Sequence, residues 1–304
     1  MASNRDLLFV DSTLLRQAEQ RCRERLRDDP DNRAALRSHA EVCRKLGMLE
    51  EAAAAYGRLF HLDPQDQEAG YLHAVLGGKH WPLAPKGCRA APFVLLRNFL
   101  APEFHDALLP FLVSVRERFV PMMGGNKQYQ PGHRQALDFP DKWGGKHRFR
   151  GRLAGVLPQA ISRLHLPPFG VGPIEVCVRA YQDGHFFKVH QDTSSDALYA
   201  TRVLNFVYYF HKSPRPYTGG ELLLFDSDLE TNAYTTARFT RVVPEDNALI
   251  IFPCDFFHSV TPVCCPSREF EDSRFVINGH VHKLAQGTLS AEGAGANVEL
   301  ASRT

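Results

Sequence analysis

Two patterns of apolar positions divide the chain. From Ser12 to about Leu76, Leu, Ala, Arg and Glu dominate, and Ala35-Leu36, His39-Ala40, Cys43 and Leu46 recur at the i, i+3, i+4, i+7 spacing of an amphipathic helix. Gly47 is placed to end that helix, because glycine takes positive φ without strain. Glu50 through Phe60 repeats the pattern with Ala52, Ala53, Tyr56 and Phe60, and Gln65 to Leu76 opens a further helix. A loop rich in Gly and Pro follows, from Gly77-Gly78 to Pro92. Phe93 to Leu100 reads as a strand and Pro102 to Arg116 as a helix. Residues 121 to 149 hold many Gly, His and Lys without periodicity and read as a long loop of the kind that borders active sites. From Ile174 onward short alternating apolar runs are separated by turn residues, the signature of a sandwich or closed barrel.

The predicted fold class is therefore α+β. A small helical domain occupies residues 1–80, a linker 81–92, a β-rich domain 93–285, and a small, polar, flexible tail 286–304. The Asp-Pro steps at Asp29-Pro30 and Asp63-Pro64 lie about 34 residues apart, the tetratricopeptide period. The stretch Asn32 to Pro64 resembles one such repeat, with Ala40, Gly47, Glu51-Ala52, Tyr56 and Pro64 in place, Leu36 where the repeat carries Trp, and Leu59 where it carries a small residue. A generic helical hairpin is the alternative.

Composition narrows the function classes. An apolar fraction of 44% and a charged fraction of 23% in 304 residues are ordinary for a globular protein with a sizeable core. A formal charge of +2 without blocks of like charge argues against a nucleic-acid surface. No uncharged apolar run approaches the roughly 18–20 residues of a membrane span, and the best, Pro92 to Leu96, meets Arg97 at once. Seven cysteines with no Cys-x-x-Cys pair, and an N-terminus without a basic-then-apolar order, predict a soluble, cytoplasmic protein.

The chemistry gathers in the second half. Within Tyr181-Gln-Asp-Gly184-His-Phe-Phe-Lys-Val-His190-Gln-Asp192, a period of two puts His190 and Asp192 on one strand face. Alone, His-x-Asp is a weak signal. It gains weight from the apolar run Ala248–Pro253, from His258 just beyond it, and from Arg274-Phe-Val-Ile-Asn278, whose alternation puts Arg274, Val276 and Asn278 on one face. Two imidazoles and one carboxylate on one side of a metal leave positions open, the ligand set of non-haem iron(II) oxygenases. His185, His211, His280 and His282 compete as ligands, and His280-x-His282 invites zinc, but no further ligand stands at a convincing spacing.

From about Phe93 to His282 the chain resembles the prolyl-4-hydroxylase-like 2-oxoglutarate/Fe(II)-dependent dioxygenases. The resemblance rests on Tyr181-x-x-Gly184, His190-x-Asp192, Tyr208-Tyr209, Thr218-Gly-Gly-Glu-Leu222, Phe252-Pro253, His258-Ser-Val-Thr-Pro262 and Arg274, in that order, and on Phe93-Val-Leu-Leu-Arg-Asn-Phe-Leu as the opening of the domain. It implies a double-stranded β-helix (jelly-roll), iron held by His190, Asp192 and His258, and 2-oxoglutarate whose far carboxylate pairs with Arg274. Tyr209, Asn205 and Tyr181 match positions that contact this cosubstrate. O2 is the second cosubstrate, and ascorbate the family's usual reductant. Arg268 lies nearer the customary distance from His258, so both arginines remain candidates; Arg274 opens the alternating strand, whereas Arg268 sits in a charged loop. Because Asp192 is present, hydroxylation is expected rather than halogenation. The expected substrate is peptidyl, prolyl-like, with the helical repeat offering a groove for a partner peptide. A tailoring oxygenase acting on a small molecule or free amino acid, or a repeat-based binding protein with a vestigial site, are the alternatives.

Overall fold

The computed structural model describes residues 12–79, 85–123, 129–141, 143–194 and 199–284. The tail expected at 286–304 and residues 81–84 of the expected linker lie outside them.

Four helices lead the chain: α1 (Ser12–Asp28), α2 (Arg33–Leu46), α3 (Leu49–Leu62) and α4 (Gln67–Leu76). Their ends follow local chemistry. The Asn32 side chain accepts from the Ala35 amide at 3.0 Å and caps α2, Gly47 ends it at φ 80°, and Asp66 caps α4 through the Ala69 amide. The apolar faces bury Leu36, Ala40, Cys43, Ala52, Tyr56 and Leu59 against one another.

Three short strands, β1 (Val94–Arg97), β2 (Val120–Pro121) and β3 (Leu137–Asp138), and helices α5 (Pro102–His105) and α6 (Leu108–Ser114) precede the long helix α7 (Gly145–Arg163). Here the chain departs from its local pattern. The expected strand Phe93–Leu100 is cut to four residues, because Asn98 turns to φ 52°. The helix expected over Pro102–Arg116 is broken into two: Pro110 has no amide hydrogen to give back across the Asp106-Ala107 junction. The segment expected as a loop over 121–149 contains β3 and the start of α7. Gly145, Gly151, Gly155 and Pro158 lower the helix propensity of α7, so tertiary burial of Phe149, Leu153, Leu157, Ala160 and Ile161 along one face holds it instead.

The remaining strands are β4 (Val171–Ile174), β5 (Cys177–Tyr181), β6 (Phe187–His190), β7 (Arg202–Phe210), β8 (Thr218–Gly219), β9 (Leu222–Asp228), β10 (Ala233–Val242), β11 (Ala248–Pro253), β12 (His258–Val260), β13 (Val263–Cys264) and β14 (Arg274–Lys283). They form an antiparallel major sheet ordered β1-β11-β7-β14-β5-β3-β2, with β4 also on β14, a minor sheet β10-β9-β12-β6, and a two-stranded ladder β13-β8. Alternation on β7 sorts its side chains: Leu204, Phe206, Tyr208 and Phe210 pack with Phe149, Leu153 and Leu157 of α7, while Val207 and Tyr209 point to the opposite face.

The helices dock on the minor sheet. Arg44 of α2, 2% exposed, donates through both terminal nitrogens to Asp226 of β9 and through Nε to the Thr240 hydroxyl of β10 at 2.7 Å. Beyond α4, Arg89 exchanges backbone bonds with Ser227 at 3.0 and 2.9 Å. No helix among the described residues is long and apolar enough to cross a membrane.

Candidate metal centre

His190 ends β6 directly opposite His258 of β12, so strand pairing alone brings the two rings to 4.2 Å between centroids. Asp192 reaches them differently from the sequence expectation. The strand stops at His190, and Asp192 lies in the following bend, its amide donating to the Cys254 carbonyl at 3.2 Å while the Gln191 side chain donates to the Asp255 carbonyl. The turn still delivers the carboxylate: Asp192 Oδ2 is 3.1 Å from His258 Nε2, and Oδ1 is 3.7 Å from His190 Nε2. A ligand atom from each of the three residues lies within 4.8 Å of the other two.

Backbone carbonyls set the tautomers. His190 Nδ1–H donates to the Lys188 carbonyl at 2.8 Å and His258 Nδ1–H to the Phe256 carbonyl at 3.0 Å. Each Nε2 is thereby left with its lone pair toward the carboxylate, the arrangement that orients imidazoles for a metal. Phe187 stacks on His190 at 3.6 Å and Phe252 meets His258 edge-on at 5.0 Å, fixing both rings. Burial pushes the His190 imidazole down to about 3, helped by His258 and opposed by Asp192. Burial alone would raise the Asp192 carboxyl, but His190 and His258 hold it well below the usual carboxylate range. A neutral His190 imidazole beside an ionised Asp192, with His258 Nε2 turned toward the same carboxylate, forms the donor set a divalent cation takes.

The site opens into a cleft of about 500 Å³ between the two sheets. Arg274, 1% exposed, sits inside it with its guanidinium 4.7 Å from the Tyr181 ring centroid and 5.1 Å from that of Tyr209. Gly220 makes room: a Cβ there would stand 2.5 Å from Arg274 Cδ. Arg268 is elsewhere, with an 80% exposed side chain paired to Asp183. Asn205 lines the cleft with its Oδ1 taken by Cys254 Sγ and His280 Nδ1. Burial raises the Tyr209 hydroxyl to about 12, against the pull of the Arg274 charge.

Four buried polar atoms at this place have no hydrogen-bond partner among the described residues: Arg274 Nε, Tyr209 OH, Asn205 Nδ2 and Asn278 Oδ1. Such atoms are costly unless something small and polar meets them. Three donors around one cavity, one of them a guanidinium, suit a carboxylate-bearing ligand.

The competing histidines go to other work. His282 contacts Glu175 at 2.9 Å, His280 contacts Asn205, and His185 accepts from the Gln182 amide. Reading by motif overlooked Arg134 and Arg179, which also line the cleft. Arg179 was accessible through alternation, since it lies two residues from Tyr181 on β5; Arg134 sits in the aperiodic segment and had no such signal.

Residues 176–282 match the 2OG-Fe(II) oxygenase superfamily. A PKHD-type hydroxylase of Synechocystis sp., itself uncharacterised, is 33% identical over 189 residues, covering 62% of this chain. The chain spans 62% of that relative's length. Among solved structures, a prolyl-4-hydroxylase of Pseudomonas putida aligns at TM-score 0.47 and 17% identity, over 64% of this chain and 94% of that one. A Trichoplax adhaerens prolyl hydroxylase in complex with a hypoxia inducible factor peptide fragment aligns at TM-score 0.47 and 19% identity, over 66% and 87% of the two chains. The motifs that carry the resemblance from Tyr181 to Arg274 thus fall inside the segment that matches the 2OG-Fe(II) oxygenase superfamily, residues 176–282.

Proposed function

We propose that this chain is a 2-oxoglutarate- and Fe(II)-dependent dioxygenase that hydroxylates a C–H bond, with the two sheets serving as a double-stranded β-helix around the cleft. The observation that carries this reading is the convergence of His190 Nε2, His258 Nε2 and the Asp192 carboxylate, each imidazole oriented by a carbonyl behind it. Fe(II) with 2-oxoglutarate and O2 supplies the oxidising chemistry, in which decarboxylation of the cosubstrate to succinate and CO2 is coupled to insertion of oxygen into the substrate.

The chain's own residues hold and shield these groups. His190, Asp192 and His258 would hold the iron. Arg274, its guanidinium held between Tyr181 and Tyr209, would take the distal carboxylate of 2-oxoglutarate and so orient the cosubstrate. The Tyr209 hydroxyl and the Asn205 amide supply further donors. Phe187, Phe252 and Val276 line the walls with apolar surface, which limits water at the reacting centre. Ascorbate enters as the external reductant by family analogy alone.

A peptidyl, prolyl-like substrate is the reading the motifs favour. In it, residues 1–80 act as a tetratricopeptide-like docking domain joined through 81–92 to the oxygenase domain 93–285. A reducing, cytoplasmic compartment suits the seven free cysteines.

The test is an anaerobic titration of metal-free protein with Fe(II) and 2-oxoglutarate, following the visible charge-transfer band. The wild type develops the band, His190→Ala lacks it, and Arg274→Ala needs far more 2-oxoglutarate. A folded wild type that never develops the band refutes the reading.

A further inference from the structure

Two arginines in the cleft have no task in the scheme above. Arg179 projects from β5 on the face that carries Tyr181, and pairs across the sheet with Val276 of the Arg274 strand. Its side chain is 15% exposed, and the nearest carboxylate, Asp138, is 3.6 Å away, beyond hydrogen-bonding distance. Arg134 approaches from the opposite wall, its guanidinium 5.3 Å from the Phe187 ring that stacks on His190. One Arg134 nitrogen donates to the Met123 carbonyl at 2.5 Å. The Nε atoms of both arginines are buried without a hydrogen-bond partner among the described residues. Arg202, another arginine lining the cleft, differs in being engaged to Glu175 at 2.6 Å.

Charge balance sharpens the contrast. With iron and 2-oxoglutarate in place, the two positive charges of Fe(II) and the one of Arg274 are matched by Asp192 and the two carboxylates of the cosubstrate. That leaves Arg134 and Arg179, which both line the partly desolvated cleft, with Asp138 beside Arg179 as their remaining counter-charge among the described residues. Burial, and then the charge of Arg179, push the Arg134 guanidinium down from its ordinary range. Like charges held together at a cleft mouth, with buried donors left open, are stable when an anion joins them.

We infer that Arg134 and Arg179 form an anion subsite that seats a carboxylate of the primary substrate beside the iron. This rests on the dioxygenase reading and narrows it: the substrate is an acid. The carboxylate belongs either to an Asp or Glu side chain flanking the reacting residue of a peptide, or to a free acid.

The experiment compares acids with their amides in the full-length chain loaded anaerobically with Fe(II) and 2-oxoglutarate, binding being read by calorimetry. One set is capped proline-centred peptides with Glu or Gln on either side of proline. The other is free L-proline and N-acetyl-L-glutamate beside their amides. In at least one set the acid binds about tenfold or more tightly than its amide, as expected for a charge-assisted pair. Arg134→Gln and Arg179→Gln erase that preference while the 2-oxoglutarate midpoint is retained, and Arg134→Lys restores part of it. Preference in the first set assigns an acidic peptide, and preference in the second a free acid. Acids and amides indistinguishable in both sets overturn the inference. So does a loss of 2-oxoglutarate affinity in both glutamine variants, which would give the pair to the cosubstrate. Because the comparison is read by binding, it is separable from the charge-transfer band, whose absence would sink the dioxygenase reading instead.

Discussion

Gly220 offers the most direct way to disturb the pocket proposed for the cosubstrate without touching a residue that faces it. Gly220→Ala adds one methyl group, and two consequences follow from the geometry. The backbone at φ +68° lies in the left-handed region, so an L side chain there costs about 1–2 kcal/mol. The new Cβ would stand 2.5 Å from Arg274 Cδ and 3.1 Å from both Arg274 Nε and Val263 Cγ2. Ordinary carbon contacts are about 3.5–4.0 Å, so the Arg274 stem must move by roughly 1 Å. That shift takes the guanidinium off its seat between Tyr181 and Tyr209. A misaligned charge-assisted pair forfeits about 1.5–3 kcal/mol, or about tenfold to a hundredfold in affinity. The variant should therefore fold with a modest drop in melting temperature, bind Fe(II) as the wild type does, and show a 2-oxoglutarate midpoint raised by that factor in the anaerobic titration. Gly219→Ala is the control: its Cβ would meet the Pro262 carbonyl oxygen at 2.0 Å, a backbone clash that no side-chain shift relieves, and it should impair folding. An unchanged 2-oxoglutarate midpoint in a folded Gly220→Ala protein would refute the role given to Arg274.

Three further outcomes are expected. Arg44→Met strips buried Asp226 of its two hydrogen bonds from Arg44, leaving Arg238 Nε at 3.5 Å as its ion-pair partner, and should cost up to about 3–5 kcal/mol in denaturant unfolding, whereas Arg44→Met with Asp226→Leu should recover most of it; a double variant no better than the single one would show that the pair is not what the docking rests on. His105 donates from Nδ1 to Tyr208 and from Nε2 to Asp246, because the Tyr208 hydroxyl is itself spent on Asn247, and the hydrogen bond to Asp246 raises its imidazole above the usual range. A raised histidine stabilises the fold fully below about pH 6.5 and loses that contribution as pH climbs through its folded value, so unfolding midpoints should fall across that interval, and the fall should vanish in His105→Asn. Leu153→Ala, at 0% exposure beneath the major sheet, should cost about 2–5 kcal/mol without displacing the triad, and measurement of retained Fe(II) binding checks the second half of that expectation.

Much of the molecule is legible in local pattern. The helices over residues 12–76 announce themselves through spacing, and the end of α2 through Gly47, because glycine turns act within a few residues. The strands around Asn205, Ile250 and Val276 show in alternation and β-branched content for the same reason. His190, Asp192, His258 and Arg274 stand out because their motifs are short and ordered along the chain. What local pattern cannot carry is decided by contacts between distant residues. Helix α7 runs against its own glycines and proline because the major sheet offers Phe149, Leu153 and Leu157 a buried face. Asp192 meets its partners through a bend held by the Cys254 carbonyl, not by the strand period. Burial separates Arg274 from Arg268, one enclosed by Tyr181 and Tyr209 and the other exposed beside Asp183. The Arg44–Asp226 pair and the placing of Arg134 and Arg179 in one cleft join segments far apart in the chain, and only the packed sheets remove enough water to make those charges matter. Periodicity and capping act over a turn or a strand and so belong to the sequence. Desolvation and the meeting of unlike segments exist only once the chain is folded.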